Sequence, residues 1–343
     1  MRSAANIAVI GAGNWGTALA QILAEQHENV CLWAFEKEVV AGIEKNRRNP
    51  LFLADIELPK NLRVSNSLAD ALKNANLVVS VLPSHVLRQV WREAAQHLLA
   101  DAFVVSCTKG IDPNNFQVMS QILDECLAKH DASKRAVLSG PSFAHEVAKH
   151  LPTTVVLAGE NSNTLEYLQK IFRSKTFLPF LSDDVIGVQV GGAVKNVIAI
   201  AAGLAHGLGF AHNTQAALVT LGLYEMMKVG QVLGAKARTF AGLSGIGDLV
   251  LTATSTQSRN FSVGHALGRG EKIEKILQGK MVAEGIETAH AVSRLGKKHQ
   301  LNLPICEVVS QVLLGKLTPQ QAVANLTSQD LGEELRSLTK DAW

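Results

Sequence analysis

The sequence has little of several things that would place a protein at once. Its 33 Lys and Arg against 30 Asp and Glu leave a net charge of +3, spread over both halves without a basic block. That argues against a nucleic-acid tract or a polybasic membrane anchor, while small acidic substrates stay in play. The four cysteines, Cys31, Cys107, Cys126 and Cys306, are scattered. None has the close spacing of a zinc ligand pair or a CxxC redox site, so they read as reduced thiols of a cytosolic protein. Before the apolar run Ile7–Ile10 the only charge is Arg2, and the stretch is too short and lacks a cleavage pattern, so no export signal is expected. The most apolar stretch, Val197 to Ala205, is about half the ~20 residues of a membrane span and is bounded by Lys195 and His206. It reads as a buried core helix. Repeats and low-complexity segments are absent as well. What is there is a chain of 343 residues, 47% hydrophobic and 18% charged. At roughly 100–200 residues per domain, that length predicts two globular domains, each able to bury a core.

From residue 5 to about 182, short β-branched runs alternate with longer amphipathic segments, the pattern of parallel strands joined by helices. The expected strands are Ile7–Gly11, Val30–Phe35, Arg63–Ser65, Leu77–Leu82, Phe103–Thr108, Ala136–Ser139, Thr154–Ala158 and one near Thr176–Leu181. Continuous apolar runs such as Val78, Val79, Val81 and Leu82 belong to a sheet covered on both faces, which makes the first domain a doubly wound α/β fold. Beyond Asp183 the runs become long and rich in Ala, Leu and Gly, and an all-helical second domain is expected, with the boundary near 182–186. Thr318, Pro319 and Gln321 fit an N-cap, a first-turn proline and a capping-box glutamine, which starts a late helix.

Gly11-Ala12-Gly13-Asn14-Trp15-Gly16 directly follows the first strand and leads into a helical segment. In that context Gly11 permits the tight turn, Gly13 lets backbone N–H groups approach a pyrophosphate, and Gly16 lets helix and strand pack closely. A lone motif of this kind is weak, but here position, flanks and strand–helix alternation agree on dinucleotide binding. The second strand ends at Phe35-Glu36, where such folds meet the adenosine ribose. Two readings of Glu36 stand: an acceptor for a free ribose 2′-hydroxyl, or a first-turn helix acid facing water. Neither position holds an Arg to clamp a 2′-phosphate, although Arg47 and Arg48 lie downstream.

Three further segments carry polar groups that their surroundings do not demand. Lys109 closes the fifth strand, at the carboxyl edge where open α/β sheets bind ligands. Lys195, in Gly191-Gly192-Ala193-Val194-Lys195-Asn196, lies on a small-residue helix face that continues through Ala199 and Ala202. Such a lysine either snorkels or works; buried, its pKa falls toward neutrality, which suits proton exchange with a carbonyl and alcohol pair. Asp248 follows the glycine cluster Gly242–Gly247; Ser258-Arg259-Asn260 follows a polar run, and an Arg-Asn pair near a helix start suits phosphate, although an exposed loop arginine reads the same way. His206 and His212 have no carboxylate or thiol cluster with them, and no metal site is expected.

With these segments identified, the chain resembles the bacterial NAD(P)-dependent glycerol-3-phosphate dehydrogenases over nearly its whole length. The resemblance rests on GAGNWG at Gly11–Gly16, Leu82-Pro83-Ser84, TKGI at Thr108–Ile111, GPSFAHE at Gly140–Glu146, GGAVKN at Gly191–Asn196, GLSGIGDLVLT at Gly242–Thr252, SRN at Ser258–Asn260 and VAEG at Val282–Gly285. It implies a Rossmann-like NAD(P) domain at residues 1–184 and an all-helical domain like that of 6-phosphogluconate dehydrogenase at 185–343, with the active site between them. It implies Lys195 as proton donor and acceptor, with Lys109 and Asp248 as catalytic neighbours. By the same matching, Lys109, Gly140, Ser142, Lys195, Asp248, Ser258, Arg259 and Asn260 contact substrate, joined by Thr252, four residues after Asp248. Gly11, Gly13, Asn14, Trp15, Gly16, Phe35, Lys109, Ala144, Arg259, Val282 and Glu284 contact NAD or NADP, and no metal is used.

The activity implied is the interconversion of dihydroxyacetone phosphate and sn-glycerol 3-phosphate for glycerophospholipid synthesis, by a cytoplasmic homodimer that neither spans a membrane nor binds nucleic acid. Two positions depart from the family pattern. Phe35 stands where relatives often carry Arg or His, which leaves the choice between NADH and NADPH open. Phe261-Ser262 stands where relatives commonly add basic residues, which thins the positive charge around the phosphate. Two rivals are a two-domain dehydrogenase of a hydroxy acid, such as 3-hydroxyisobutyrate or 6-phosphogluconate, and a non-catalytic nucleotide sensor.

Overall fold

A computed structural model describes residues 5–278 and 283–328. Eight strands, β1 (Asn6–Ile10), β2 (Asn29–Trp33), β3 (Leu62–Ser65), β4 (Leu77–Ser80), β5 (Phe103–Ser106), β6 (Arg135–Ser139), β7 (Thr153–Ala158) and β8 (Phe177–Ser182), form one sheet in the order β3-β2-β1-β4-β5-β6-β7-β8. The helices threaded among them are α1 (Asn14–Ala24), α2 (Lys37–Asn46), α3 (Leu68–Leu72), α4 (Ser84–Ala94), α5 (Met119–Cys126), α6 (Ala144–Ala148) and α7 (Ser162–Phe172). Side chains alternate between faces along each strand. Ile7 and Val9 of β1 therefore enter one core with Leu19 and Leu23 of α1, while Ala8 and Ile10 enter the other with Trp91 of α4. This is the doubly wound Rossmann-like arrangement, with its change of strand order between β1 and β4, where ligands bind at the carboxyl ends.

The structure corrects the expectation of an all-parallel sheet, because β6 and β7 run antiparallel. Apolar runs specify burial on both faces but carry no strand direction, so this reversal left no trace in the pattern. Several strands also stop sooner than their apolar composition does. Val81 still donates to Ile10 O at 2.8 Å and Cys107 to Ser80 O at 2.8 Å, after which the chains leave the sheet at its carboxyl edge. Leu82, Thr108 and Phe35 thus belong to the loops that build the site rather than to strands.

The second domain is helical throughout its described residues: α8 (Val185–Gly207), α9 (His212–Leu233), α10 (Asp248–Ala253), α11 (Arg259–Gly268), α12 (Ile273–Gln278), α13 (Glu284–His299), α14 (Pro304–Leu313) and α15 (Pro319–Ser328). Asp184 caps α8 by accepting from Gly187 N at 2.8 Å. Thr318 and Gln321 exchange the two hydrogen bonds of a capping box at the start of α15. The α8 helix is mostly apolar, is buried along nearly its whole length, and forms the axis of the domain. Its 23 residues are long enough to cross a membrane, but 89% of its most apolar window is buried inside the protein. It packs against α11 almost backbone to backbone: a Cβ on Gly203 would lie 2.0 Å from Phe261 O, and one on Gly264 2.0 Å from Ile200 O. At its other end, a Cβ on Gly191 would lie 2.1 Å from Ser244 O, so the π-turn Leu243–Gly247 presses on the first turns of α8. That contact fixes Asp248 opposite Lys195.

Candidate active site

The Gly-rich turn opens the site. Gly11 has φ +110°, and a Cβ there would strike Val81 O at 2.4 Å; a Cβ on Gly16 would lie 1.8 Å from Gly11 O. Glycine is obligatory at both for steric reasons. Gly13 differs, since nothing lies within 4 Å of its Cβ position, and no side chain caps the start of α1. The turn therefore presents open backbone and a positive helix end, as a pyrophosphate requires. Asn14 and Trp15 form the first turn of α1, with the Trp15 ring 6.3 Å from that of Phe177.

The turn has a brace that the sequence reading missed. Asn49, fully buried, donates to Ala12 O and to Thr17 Oγ1, both at 2.9 Å, and its Oδ1 accepts from the backbone of Leu51 and Phe52. An Asn next to Pro50 at the end of a helix was the available signal, but its partners lie 37 and 32 residues away.

Next along the carboxyl edge is a cluster of charged groups. Lys195 Nζ donates to Asp248 Oδ1 at 2.5 Å and to Thr252 Oγ1 at 2.7 Å; Lys109 Nζ donates to Asp248 Oδ2 at 2.7 Å. One carboxylate thus holds two ammonium groups, one from each domain. Lys195 is 7% exposed and Asp248 fully buried, while Lys109 remains partly accessible. Burial pushes the Lys195 ammonium down to about 7, against the pull of Asp248 and with the help of Lys109. Gly192 makes the approach possible, because a Cβ there would sit 2.6 Å from Ser139 Oγ and 3.4 Å from the Lys109 stem.

Of the remaining predicted positions, Gly140 is in direct contact with this cluster. Gly140, with φ +138°, turns the chain out of β6, and its carbonyl accepts from Ser142 Oγ at 3.0 Å and, at 3.5 Å, from Lys109. Ala144 begins α6. Ser258 is the N-cap of α11, its hydroxyl accepting from Phe261 N at 3.2 Å. Asn260 uses Oδ1 to receive Gly285 N at 3.1 Å and so ties α11 to α13. Arg259, the first residue of α11, is exposed and makes no hydrogen bond or ion pair among the described residues. Phe35 stands at the end of β2 with 79% exposure. Val282 lies outside the described residues.

Glu284 has an unforeseen contact. Its Oε1 accepts from Ser84 N at 3.3 Å, which joins α13 to the start of α4 across 200 residues. Burial lifts its carboxyl to about 7, against the Ser84 N–H and the charges of Lys109, Arg259 and Lys195. The His206 ring lies tilted beside that of His265, with 5.1 Å between ring centroids, and no group of three His, Cys, Asp or Glu suited to a metal occurs among the described residues.

The molecule thus has an open glycine turn, a buried lysine held by an acid where the two domains meet, and at a helix start an arginine without a partner among the described residues. Comparison with known proteins gives this set a family. The model of the N-terminus of NAD-dependent glycerol-3-phosphate dehydrogenase matches residues 6–165, and that of its C-terminus matches residues 184–324. The chain belongs to the NAD-dependent glycerol-3-phosphate dehydrogenase family. It is 45% identical over 331 residues to a glycerol-3-phosphate dehydrogenase [NAD(P)+] of Syntrophotalea carbinolica, covering 96% of this chain and 99% of that one. A second relative of the same name, from Citrifermentans bemidjiense, is 44% identical, with 96% and 99% covered. The crystal structure of glycerol-3-phosphate dehydrogenase from Coxiella burnetii superposes with a TM-score of 0.90 at 36% identity, covering 94% of this chain and 98% of that one. As a member of this dehydrogenase family, the protein is an NAD(P)-dependent oxidoreductase.

Proposed function

We propose that the protein reduces dihydroxyacetone phosphate reversibly to sn-glycerol 3-phosphate with NADH or NADPH, and that Lys195 is its proton donor and acceptor. The observation that carries this reading is the pair of ammonium groups on Asp248, one buried with a pKa brought to about 7. When bound, the reduced nicotinamide supplies the hydride. The protein's own groups do the rest. Lys195 gives its proton to the alkoxide oxygen as the carbonyl is reduced, and takes one from the alcohol in the reverse direction. Asp248 holds that lysine and orients it, with Thr252 as a second acceptor. Lys109 faces the developing oxyanion, where a fixed ammonium in a closed cleft stabilises charge more than water does.

Arg259 and the start of α11 hold the phosphate, with Asn260, Ser258, Ser142 and Gly140 shaping the pocket, so contacts remote from the carbonyl orient the reacting carbon. Gly11, Gly13, Asn14, Trp15, Gly16, Phe35, Ala144, Glu284 and Val282 form the dinucleotide side, shared with Lys109 and Arg259. The reading carries with it a domain division at 1–184 and 185–343, a homodimer and a cytoplasmic place in supplying glycerophospholipid synthesis. For these the family resemblance is the support; proteolysis near the boundary, light scattering at twice the chain mass and a glycerol 3-phosphate requirement on loss of the gene check them.

A panel of ketones and hydroxy acids, with and without phosphate, tests the substrate. Dihydroxyacetone phosphate is expected to be the best, and Arg259→Ala to raise its KM roughly 10- to 150-fold, the equivalent of about 1.5–3 kcal/mol for charged hydrogen bonds. Preference for an unphosphorylated hydroxy acid would reject the assignment in favour of the rival dehydrogenase.

A further inference from the structure

The adenosine end of the site, at the carboxyl end of β2, decides which of the two dinucleotides fits. We propose that Phe35 and Glu36 select a dinucleotide with a free ribose 2′-hydroxyl, so that NADH is the coenzyme and NADPH is rejected. The inference rests on the reading of the glycine turn as a dinucleotide site and sharpens it.

Four observations carry it. First, Phe35 leaves the sheet with its ring 79% exposed, 6.5 Å from the Trp33 ring and edge-on to it. A large apolar ring held in water at a ligand edge is a flat surface for a purine, and it offers a 2′-phosphate no donor. Second, Glu36 is the N-cap of α2, yet its carboxylate caps nothing and has no hydrogen-bond or ion-pair partner among the described residues. It is an acceptor free for a ribose hydroxyl and a negative charge against a phosphate.

Third, the arginines that could have folded back are occupied. Arg47 ends α2 with φ 54° and donates to Leu62 O at 2.8 Å and to Pro59 O. Arg48 donates to Asp55 O at 2.7 Å and Ala54 O at 3.4 Å, and pairs with Glu57 at 3.5 Å. Arg63 on β3 is paired with Asp70 at 3.3 Å. Fourth, the neighbouring strand end offers a 2′-phosphate no cation, only the neutral side chains of Asn66 and Ser67; Ser67 accepts from Asp70 N at 3.3 Å, and the backbone O of Asn66 receives the Trp33 indole at 3.1 Å. Lys37 is exposed beside this edge, but Glu36 and Glu38 flank it, so the local sum of charge stays negative. A lysine is also a point charge without the planar fork that grips a phosphate.

Equilibrium titration of the whole protein with NADH and with NADPH, read by nicotinamide fluorescence and without substrate, tests the selectivity independently of turnover. The expected result is a Kd for NADH at least about tenfold below that for NADPH, since like charges in contact cost more than the 1.4 kcal/mol that tenfold represents. The double variant Phe35→Arg with Glu36→Gln is expected to bring the ratio to one or invert it, and Arg48→Gln to leave it unchanged. Equal or tighter NADPH binding by the wild type, or selective loss of NADPH binding in Arg48→Gln, would overturn the proposal. Binding of neither dinucleotide would reject the dinucleotide reading, and the selectivity with it. Tight NADH binding without oxidation by dihydroxyacetone phosphate would instead reject the reaction and leave the selectivity standing.

Discussion

Lys195 owes its lowered pKa to a conflict between two effects of its surroundings. Burial disfavours the ammonium, Asp248 favours it, and burial wins far enough to bring the pKa from 10.5 to about 7. The direction of the pH dependence follows. In the proposed mechanism reduction needs the protonated lysine, so its rate is expected to be flat below pH 7 and to fall about tenfold per unit above it; oxidation needs the neutral amine and is expected to show the opposite limb. Profiles of kcat/KM for both directions over pH 5.5–9 check this, and two parallel limbs, or none, would remove the proton from Lys195. At this scale the sequence was informative. Lys109, Lys195 and Asp248 stand out as polar groups in apolar or glycine-rich settings, Thr252 is reached only through the family resemblance, and the structure brings all four together. The Glu284 contact with Ser84 and the brace formed by Asn49 could not be read, because each joins residues far apart in the chain and each residue alone looks like an ordinary surface acid or loop amide.

Among the elements, the glycine turn and α1 carry the most specific expectation. Gly11 and Gly16 are fixed by clashes, but Gly13 meets nothing, so the fold does not require its missing side chain and the proposed pyrophosphate contact does. Gly13→Ala is therefore expected to change stability by no more than about 0.5 kcal/mol, as an unopposed surface substitution does, while raising the dinucleotide Kd about tenfold or more. Thermal melting beside a fluorescence titration separates the two effects; unaltered binding would mean that the pyrophosphate does not pass over Gly13. The strands were legible because their apolar runs are continuous, and the capping box at Thr318 was legible because its signal lies within four residues. The reversal between β6 and β7 was not, since burial on both faces has the same composition in either direction.

On the scale of the whole molecule, the site exists only where two domains meet. The Rossmann-like sheet brings the glycine turn, Lys109 and Gly140; the helical domain brings Lys195, Asp248, Thr252, Arg259 and Glu284. Small residues set the distance between them: Gly192 admits Ser139 and Lys109 to the side of α8, and Gly191 admits the turn that ends at Asp248. This also explains the composition of α8, which is apolar because it is the axis of a domain and glycine-rich because backbone presses on it from two sides. The change from β-branched runs to Ala, Leu and Gly near residue 183 announced that second architecture, while the angle at which the domains meet, and hence the pairing of both lysines on Asp248, required the folded chain.

On the proposed mechanism, Lys195 moves the proton in a reaction on dihydroxyacetone phosphate. The most direct test follows nicotinamide absorbance as wild type and Lys195→Met meet dihydroxyacetone phosphate, with the dinucleotide Kd of both proteins measured alongside. Rapid oxidation by the wild type is expected, with a kcat lower by several orders of magnitude in the variant and the Kd unchanged. Near-normal turnover by Lys195→Met would contradict that mechanism.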